Sequence, residues 1–147
     1  MEEYLRRKID KYLLDWKANP GHKPLIIKGA RQVGKTKSIQ QFANKNYESV
    51  VEINFAEEPT FKQIVENGYS PEAVIQNISR IRAGVKFIPH KTLIFFDEVQ
   101  EFPDVTTSLK FFAQDGRFDV ICSGSLLGIH YQEISSISVG YKTEVEM

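Results

Sequence analysis

The stretch Gly29-Ala30-Arg31-Gln32-Val33-Gly34-Lys35-Thr36 decides how this chain folds. It matches the pattern G-x-x-x-x-G-K-[ST] at every fixed position. Before it lies the apolar run Pro24-Leu25-Ile26-Ile27-Lys28, and after it Ile39, Phe42 and Ala43 mark one face of a helix. The sequence therefore predicts a strand that enters a glycine-containing loop and a helix that leaves it.

Each fixed position of this loop suits contact with a phosphate group. The glycines let the backbone turn tightly and approach a phosphate without an intervening Cβ, and the helix N-terminus favours negative charge. Lys35 is expected to face solvent and to contact the β- and γ-phosphates, and the Thr36 hydroxyl is expected to ligate Mg²⁺. The pattern predicts a nucleotide-phosphate site, to which we assign Gly29, Ala30, Arg31, Gln32, Val33, Gly34, Lys35, Thr36 and Lys37.

The composition is that of a folded domain. The chain has 147 residues, of which 41% are hydrophobic and 12% aromatic, so we expect a single domain over residues 1–147 and no extensive disorder. No apolar run approaches the length of a membrane span, and the N-terminus lacks a signal-peptide core. The single cysteine, Cys122, cannot form an internal disulfide, which favours a cytoplasmic location. The three scattered histidines make a structural zinc site unexpected.

Charge is divided unevenly along the chain. Residues 1–47 carry 11 Lys and Arg against 4 Asp and Glu, whereas the remainder carries 8 against 15. A basic end of one copy could meet an acidic end of another, giving a homo-oligomer. The plainer alternative is that both faces are simply solvated, and no surface resembles a dedicated nucleic-acid site.

A second informative stretch is Lys91-Thr92-Leu93-Ile94-Phe95-Phe96-Asp97-Glu98. Four consecutive apolar residues predict a strand buried on both faces, as in a parallel sheet covered by helices. The two carboxylates then fall at the carboxyl end of the strand, where open α/β sheets bind ligands. Together with the loop, this predicts a Walker B element in which Asp97 holds Mg²⁺ and Glu98 polarises the attacking water.

The remaining patterns alternate between helix and strand. Ser123-Gly124-Ser125 is expected as a polar tip after a strand, where a hydroxyl could sense the γ-phosphate or simply cap the next helix. The predicted helices are Glu2–Ala18, Pro59–Glu66, Pro71–Ala83 and one that begins at Phe102-Pro103-Asp104 and ends near Gly116, and the predicted strands are Val50–Phe55, Phe118–Cys122 and a short one at Tyr141–Val145.

The motifs GARQVGKT, LIFFDEVQ, SLKFF and SGSLLG, in this order, resemble those of prokaryotic AAA+ ATPases that carry a C-terminal domain of unknown function. The resemblance covers residues from about 4 to 147 and is most specific in the DE-x-Q and GS-x-x-G signatures. It implies a P-loop NTPase fold, an α/β three-layer sandwich with a parallel sheet of order 5-1-4-3-2. It also implies binding of ATP and Mg²⁺, with a sensor-1 hydroxyl that we assign to Ser125 over Ser123.

The chain departs from that family in one respect. Such proteins continue into a helical lid and a C-terminal domain, whereas this sequence stops where a short or incomplete fifth strand is expected. After Glu98 the only arginine is Arg117, which precedes a strand and is badly placed for an arginine finger. We therefore expect a truncated nucleotide-binding core with weak nucleotide affinity, low ATPase activity and a tendency to self-associate.

Other nucleotide-dependent functions fit less well. A GTPase is disfavoured because Gln100 stands in the last place of the DxxG switch and Asn44-Lys45-Asn46-Tyr47 lacks the aspartate of N-K-x-D. A small-molecule kinase would need an arginine-rich lid after the third strand. A non-enzymatic switch, in which bound ATP orders a partner surface, stays open.

Overall fold

The computed structural model describes residues 2–29, 34–125 and 143–146. Four α-helices and five strands lie within these residues, together with three short 3₁₀ helices at Pro59–Gln63, Val99–Glu101 and Pro103–Ser108. The helices are α1 (Glu2–Ala18), α2 (Lys35–Asn46), α3 (Pro71–Ile81) and α4 (Leu109–Asp115), and the strands are β1 (Leu25–Gly29), β2 (Ser49–Asn54), β3 (Thr92–Asp97), β4 (Asp119–Ser125) and β5 (Thr143–Glu146).

All neighbouring strands of the sheet run parallel, in the order β2-β3-β4-β1-β5. This is the predicted order 5-1-4-3-2 read from the other edge, so the predicted fold class is confirmed. Strand β1 lies between β4 and β5, with Leu25 opposite both Ile121 and Thr143. The expected fifth strand therefore pairs with β1 over Thr143–Glu146, while residues 141 and 142 lie outside the described residues.

Helices cover both faces of the sheet, because successive side chains of a strand point to opposite faces and both sets are apolar here. On one face Leu25, Ile27 and Phe95 pack in one core with residues of α1 and α2. On the other face Ile26 and Phe96 pack in a second core with residues of α3 and α4. Every residue of β3 is buried, as the sequence predicts for a strand covered on both sides.

Two predicted helices form tighter turns than expected. The segment predicted as a helix over Pro59–Glu66 is a 3₁₀ helix of five residues, and its buried side chains Phe61 and Ile64 are three residues apart, as one 3₁₀ turn requires. The helix expected from Phe102 begins instead as a 3₁₀ helix that becomes α-helical only at Leu109. There the Ser108 hydroxyl donates to the carbonyl of Val105 at 2.6 Å, and such local bonds compete with regular helix bonding.

Two adjacent leucines of α1 give a matched test of the core. Leu13 is fully buried, whereas Leu14 is 53% exposed. Because Leu13→Ala leaves a cavity, it should lower the free energy of unfolding by about 2–5 kcal/mol, and Leu14→Ala should change it by less than about 0.5 kcal/mol. Urea unfolding followed by circular dichroism measures both values. Similar losses in the two variants would show that α1 does not pack on the sheet as described.

Candidate functional site

The predicted site residues meet at the carboxyl edge of the sheet. Strands β1, β3 and β4 end at Gly29, Asp97 and Ser125, and Gly29 lies directly opposite Ser125 in the sheet. Helix α2 begins close by at Lys35. Ligands of open parallel sheets bind at this edge, so the geometry brings both sequence motifs to the place where a ligand is expected.

Gly34 shapes the entry into α2. It occupies the N-cap position with φ 75° and ψ 19°, a left-handed conformation that glycine adopts at little cost. From the part of the chain that the structure describes, α2 receives no side-chain cap, and its first turn holds no acidic residue. The positive end of the helix is therefore suited to an external anion.

Thr36 and Asp97 join the two motifs. The Thr36 hydroxyl donates to Oδ2 of Asp97 at 3.0 Å, although the residues belong to α2 and β3 respectively. A hydroxyl and a carboxylate are hard oxygen ligands of the kind that Mg²⁺ prefers. The pair therefore fits a magnesium ion at this edge of the sheet.

Lys35 does not face solvent as expected from the sequence. It is only 3% exposed, and its positive charge is close enough to Asp97 to lower the pKa of that carboxyl. The side chain is thus packed into the group of residues at the strand ends. The next lysine of the helix, Lys37, is exposed.

Burial governs the protonation of Asp97, which is 2% exposed. Loss of solvation is the largest cause that raises its pKa from 3.8 to about 6. The Thr36 hydroxyl, the Glu98 backbone N–H and the charge of Lys35 lower the pKa, whereas the negative charge of Glu98 raises it further. A buried carboxylate that lacks a full set of charged partners is costly. A cation bound beside it would remove that cost.

Glu98 directly follows the last residue of β3. Its φ of 56° and ψ of 47° place it in the left-handed region, which is uncommon for a residue other than glycine, asparagine or aspartate and is frequent at functional sites. Its backbone N–H donates to Oδ1 of Asp97 at 2.8 Å, and its Oε2 accepts from Nε2 of Gln100. The two neighbouring carboxylates are therefore held in different surroundings.

The predicted polar tip Ser123-Gly124-Ser125 is not a tip. Strand β4 continues through Ser125, and Ser123 and Ser125 are 0% and 3% exposed. Pairing with β1 extends to Ser125 because β1 itself continues to Gly29, one residue beyond the predicted strand. The Ser123 hydroxyl has no hydrogen-bond partner among the described residues, and the choice of Ser125 as the sensor stays a prediction.

Sequence reasoning missed Gln100 as a site residue. Its Oε1 accepts from the backbone N–H of Ser125 at 3.1 Å, while its Nε2 donates to Glu98. The DE-x-Q signature was the available signal, since it places a glutamine at a fixed distance from the two carboxylates.

Other residues considered in the sequence analysis are not among those that meet at this edge in the described structure. Ala30, Arg31, Gln32 and Val33 lie outside the described residues. Arg117 pairs with Asp115 at 2.9 Å and with Glu72 at 3.1 Å. It lies just before the start of β4 and therefore at the amino end of the strands, away from the predicted site, as its position in the sequence predicts.

Within residues 2–29, 34–125 and 143–146, no helix is long and apolar enough to span a membrane.

Comparisons with known proteins agree with this architecture. A family model described as an AAA domain matches residues 21–147, and no curated protein matches the chain. Among solved structures, Drosophila ORC bound to GC-rich DNA and Cdc6 contains a similar chain, with TM-score 0.60, 12% identity, and coverage of 99% of this chain and 56% of that one. The corresponding complex with AT-rich DNA gives TM-score 0.55, 13% identity, and coverage of 99% and 55%.

C. elegans PCH-2 is also similar, with TM-score 0.49, 15% identity, and coverage of 99% of this chain and 40% of that one. At these identities the likeness to the ORC complexes concerns the fold alone. The chain thus spans between 40% and 56% of the length of these three solved chains.

Replacing Asp97 with Asn should stabilise the ligand-free protein above pH 6. Because the folded-state pKa of about 6 exceeds the ordinary 3.8, the folded state binds more protons between these values. The contribution of Asp97 to the free energy of unfolding is therefore fully present below pH 3.8 and is lost as the pH rises through 6. Asn keeps the size and stays neutral, so Asp97→Asn should gain about 1–3 kcal/mol above this range, and the gain should shrink as the pH falls.

Urea unfolding in the presence of a chelator, repeated from about pH 4 to pH 8, measures this difference. The control is Asp15→Asn, which neutralises an exposed carboxylate of α1. Equal gains in the two variants would refute the burial argument.

Proposed function

The chain belongs to the AAA domain family of P-loop ATPases, and we propose that it binds ATP with Mg²⁺ at the carboxyl edge of its sheet and hydrolyses the ATP slowly. The hydrogen bond of 3.0 Å between Thr36 and Asp97 is the observation that carries the proposal. It joins the hydroxyl of the phosphate-binding loop motif to the strand-end carboxylate, which are the two groups expected to hold the metal.

The residues that meet at the carboxyl edge have separate roles in this proposal. Lys35 would neutralise charge on the bound phosphates, and the backbone amides at the start of α2 would donate to phosphate oxygens. Thr36 and Asp97 would hold Mg²⁺, which supplies Lewis-acid polarisation of phosphate oxygens when bound. Glu98 would accept a proton from the attacking water as a general base, and Ser125 would contact the γ-phosphate region.

Slow turnover is proposed because the described arginine side chains beyond α1 are engaged elsewhere. Arg80 donates to Asn77 at 3.0 Å, Arg82 to Glu58 at 2.6 Å, and Arg117 pairs with Asp115 and Glu72. An arginine that reaches the transferred phosphoryl group increases the rate of related ATPases and GTPases by about 10³–10⁵. A phosphate-release assay tests the enzymatic part, since ATP binding with no turnover would favour a nucleotide switch.

Removal of the Lys35 charge should weaken ATP binding. Hydrogen bonds to charged groups contribute about 1.5–3 kcal/mol, so the dissociation constant should rise about 10–100-fold in Lys35→Ala. Because Lys35 is buried, Lys35→Met is a second variant that keeps most of the volume. Calorimetric titration with ATP and Mg²⁺ measures the affinity. Lys45→Ala, an exposed change in the last turn of the same helix, is the control, and unchanged affinity in folded Lys35→Met would exclude this site.

The two carboxylates should separate binding from chemistry. Asp97→Asn should weaken the Mg²⁺-dependent part of ATP binding, because a neutral amide is a poorer ligand for the ion. Glu98→Gln should preserve binding and lower turnover by about 10²–10⁴-fold, because it removes the base and keeps the shape. Calorimetry and phosphate release measure the two effects. The control Glu101→Gln changes an exposed carboxylate of the same 3₁₀ turn, and identical behaviour of the Asp97 and Glu98 variants would contradict the assignment.

A further inference from the structure

We propose that Gln100 is a positioning residue that holds the Glu98 carboxylate and the backbone end of β4 in one fixed arrangement. This inference rests on the proposed function, because it takes Glu98 as the base. Gln100 would then act on the reaction through Glu98 and Ser125 without touching ATP.

The contacts of Gln100 require a side-chain amide. Its Nε2 donates to Oε2 of Glu98, and its Oε1 accepts from the Ser125 N–H at 3.1 Å. A neutral amide offers a donor and an acceptor on opposite sides of one planar group, whereas an ionised carboxylate only accepts and an ammonium only donates. Both contacts are therefore satisfied by glutamine without an added charge.

Burial makes the loss of either Gln100 contact costly. Gln100 is 7% exposed, and a buried polar group that loses its partner is not compensated by water. Rotation of the amide that broke one contact would also disturb the other, because both belong to the same planar group. The positions of Glu98 and Ser125 are thus coupled through a single side chain.

The two contacts of Gln100, with Glu98 and with the Ser125 amide, form a bridge between β3 and β4. This bridge lies beyond the point where the regular pairing of the two strands ends. The last residue pair of that ladder is Phe96 opposite Cys122, and Ser125 stands three residues further along β4. Its amide bonds a side chain that follows β3 in sequence. Gln100 therefore extends the connection between the two strands to the level of the phosphate-binding loop, where Ser125 is opposite Gly29.

Glu98 needs such support because its own position is weakly constrained by secondary structure. It is half-buried, follows the end of β3 and has a left-handed backbone. A flexible base samples many positions, and productive proton transfer requires a narrow range of distances to the water. A bond from a buried amide reduces that freedom.

Two variants separate the two contacts. Gln100→Leu removes both, whereas Gln100→Glu keeps an acceptor for the Ser125 amide and places a carboxylate against Glu98 in place of the donor. We expect Gln100→Leu to increase the hydrogen-exchange rate of the Ser125 amide at least about tenfold, because hydrogen exchange reports loss of the local bond. Gln100→Glu should increase the rate by a smaller factor, because the acceptor stays while the contact with Glu98 that anchors it is lost.

Both variants should lower kcat for ATP hydrolysis about tenfold or more, with KM and the ATP dissociation constant within about threefold. A residue that only filled space would not produce this separation. The controls are Gln114→Leu and Gln114→Glu, the same changes at an exposed position of α4, and they should alter neither measurement. Unchanged Ser125 exchange in Gln100→Leu, or unchanged kcat in both Gln100 variants, would overturn the proposal.

A double-mutant cycle tests the bridge even where turnover is too slow to follow. Glu98→Ala should increase Ser125 exchange when Gln100 is present and add nothing in the Gln100→Leu background. Additive effects would overturn the coupling. Loss of the proposed function is recognised separately, because it would appear as unchanged ATP affinity in Lys35→Met while the exchange results stand.

Discussion

The complete burial of β3 is the constraint on which the rest of the structure depends. A strand whose side chains are apolar on both faces can be stable only with helices on both sides. Helices α2 and α3, which both precede β3 in the chain, pack on opposite faces of the sheet. Because apolar packing leaves no room for charge until the strand ends, Asp97 and Glu98 are confined to the carboxyl edge. The same packing brings α2 over that edge, which places Thr36 against Asp97.

This placement carries an electrostatic cost that the ligand-free protein retains. The Thr36 hydroxyl, the backbone N–H of Glu98 and the charge of Lys35 lower the pKa of Asp97, yet burial outweighs them. The contacts with Thr36 and with the Glu98 amide hold the carboxylate in position before any ion binds. A buried carboxylate that is held in position but only partly neutralised binds a cation more strongly than a well-solvated carboxylate does, because less reorganisation accompanies binding. Under the proposed function, Asp97 therefore lowers the stability of the ligand-free domain and favours binding of Mg²⁺.

Much of the fold was predictable because it rests on patterns with a single structural meaning. A glycine-containing loop between an apolar strand and an amphipathic helix is compatible with few other structures. The apolar run Leu93–Phe96 requires helices on both faces of its strand. The strand order came from the family resemblance, since no residue pattern indicates which parallel strands are neighbours.

Details of the site were less accessible to sequence reasoning. Nothing in the sequence indicates that Lys35 is buried, because lysines are usually exposed. The left-handed conformation of Glu98 has no signal either, since that conformation is normally marked by glycine or asparagine. The bridging contacts of Gln100 depend on where β4 ends, and strand boundaries shift by a residue or more with tertiary pairing. These features are set by packing between distant segments.

The position of β1 has a kinetic consequence. Both of its neighbours in the sheet, β4 and β5, follow it by most of the length of the chain. The strand that leads into the phosphate-binding loop therefore cannot form its lateral hydrogen bonds until long chain closures have been completed, and such closures slow folding. Strands β2 and β3 can associate earlier because a shorter connection joins them. The carboxyl edge of the sheet, where we propose that ATP binds, is accordingly assembled late. Nucleotide bound there can stabilise the folded domain, but it has no formed site through which to guide early folding.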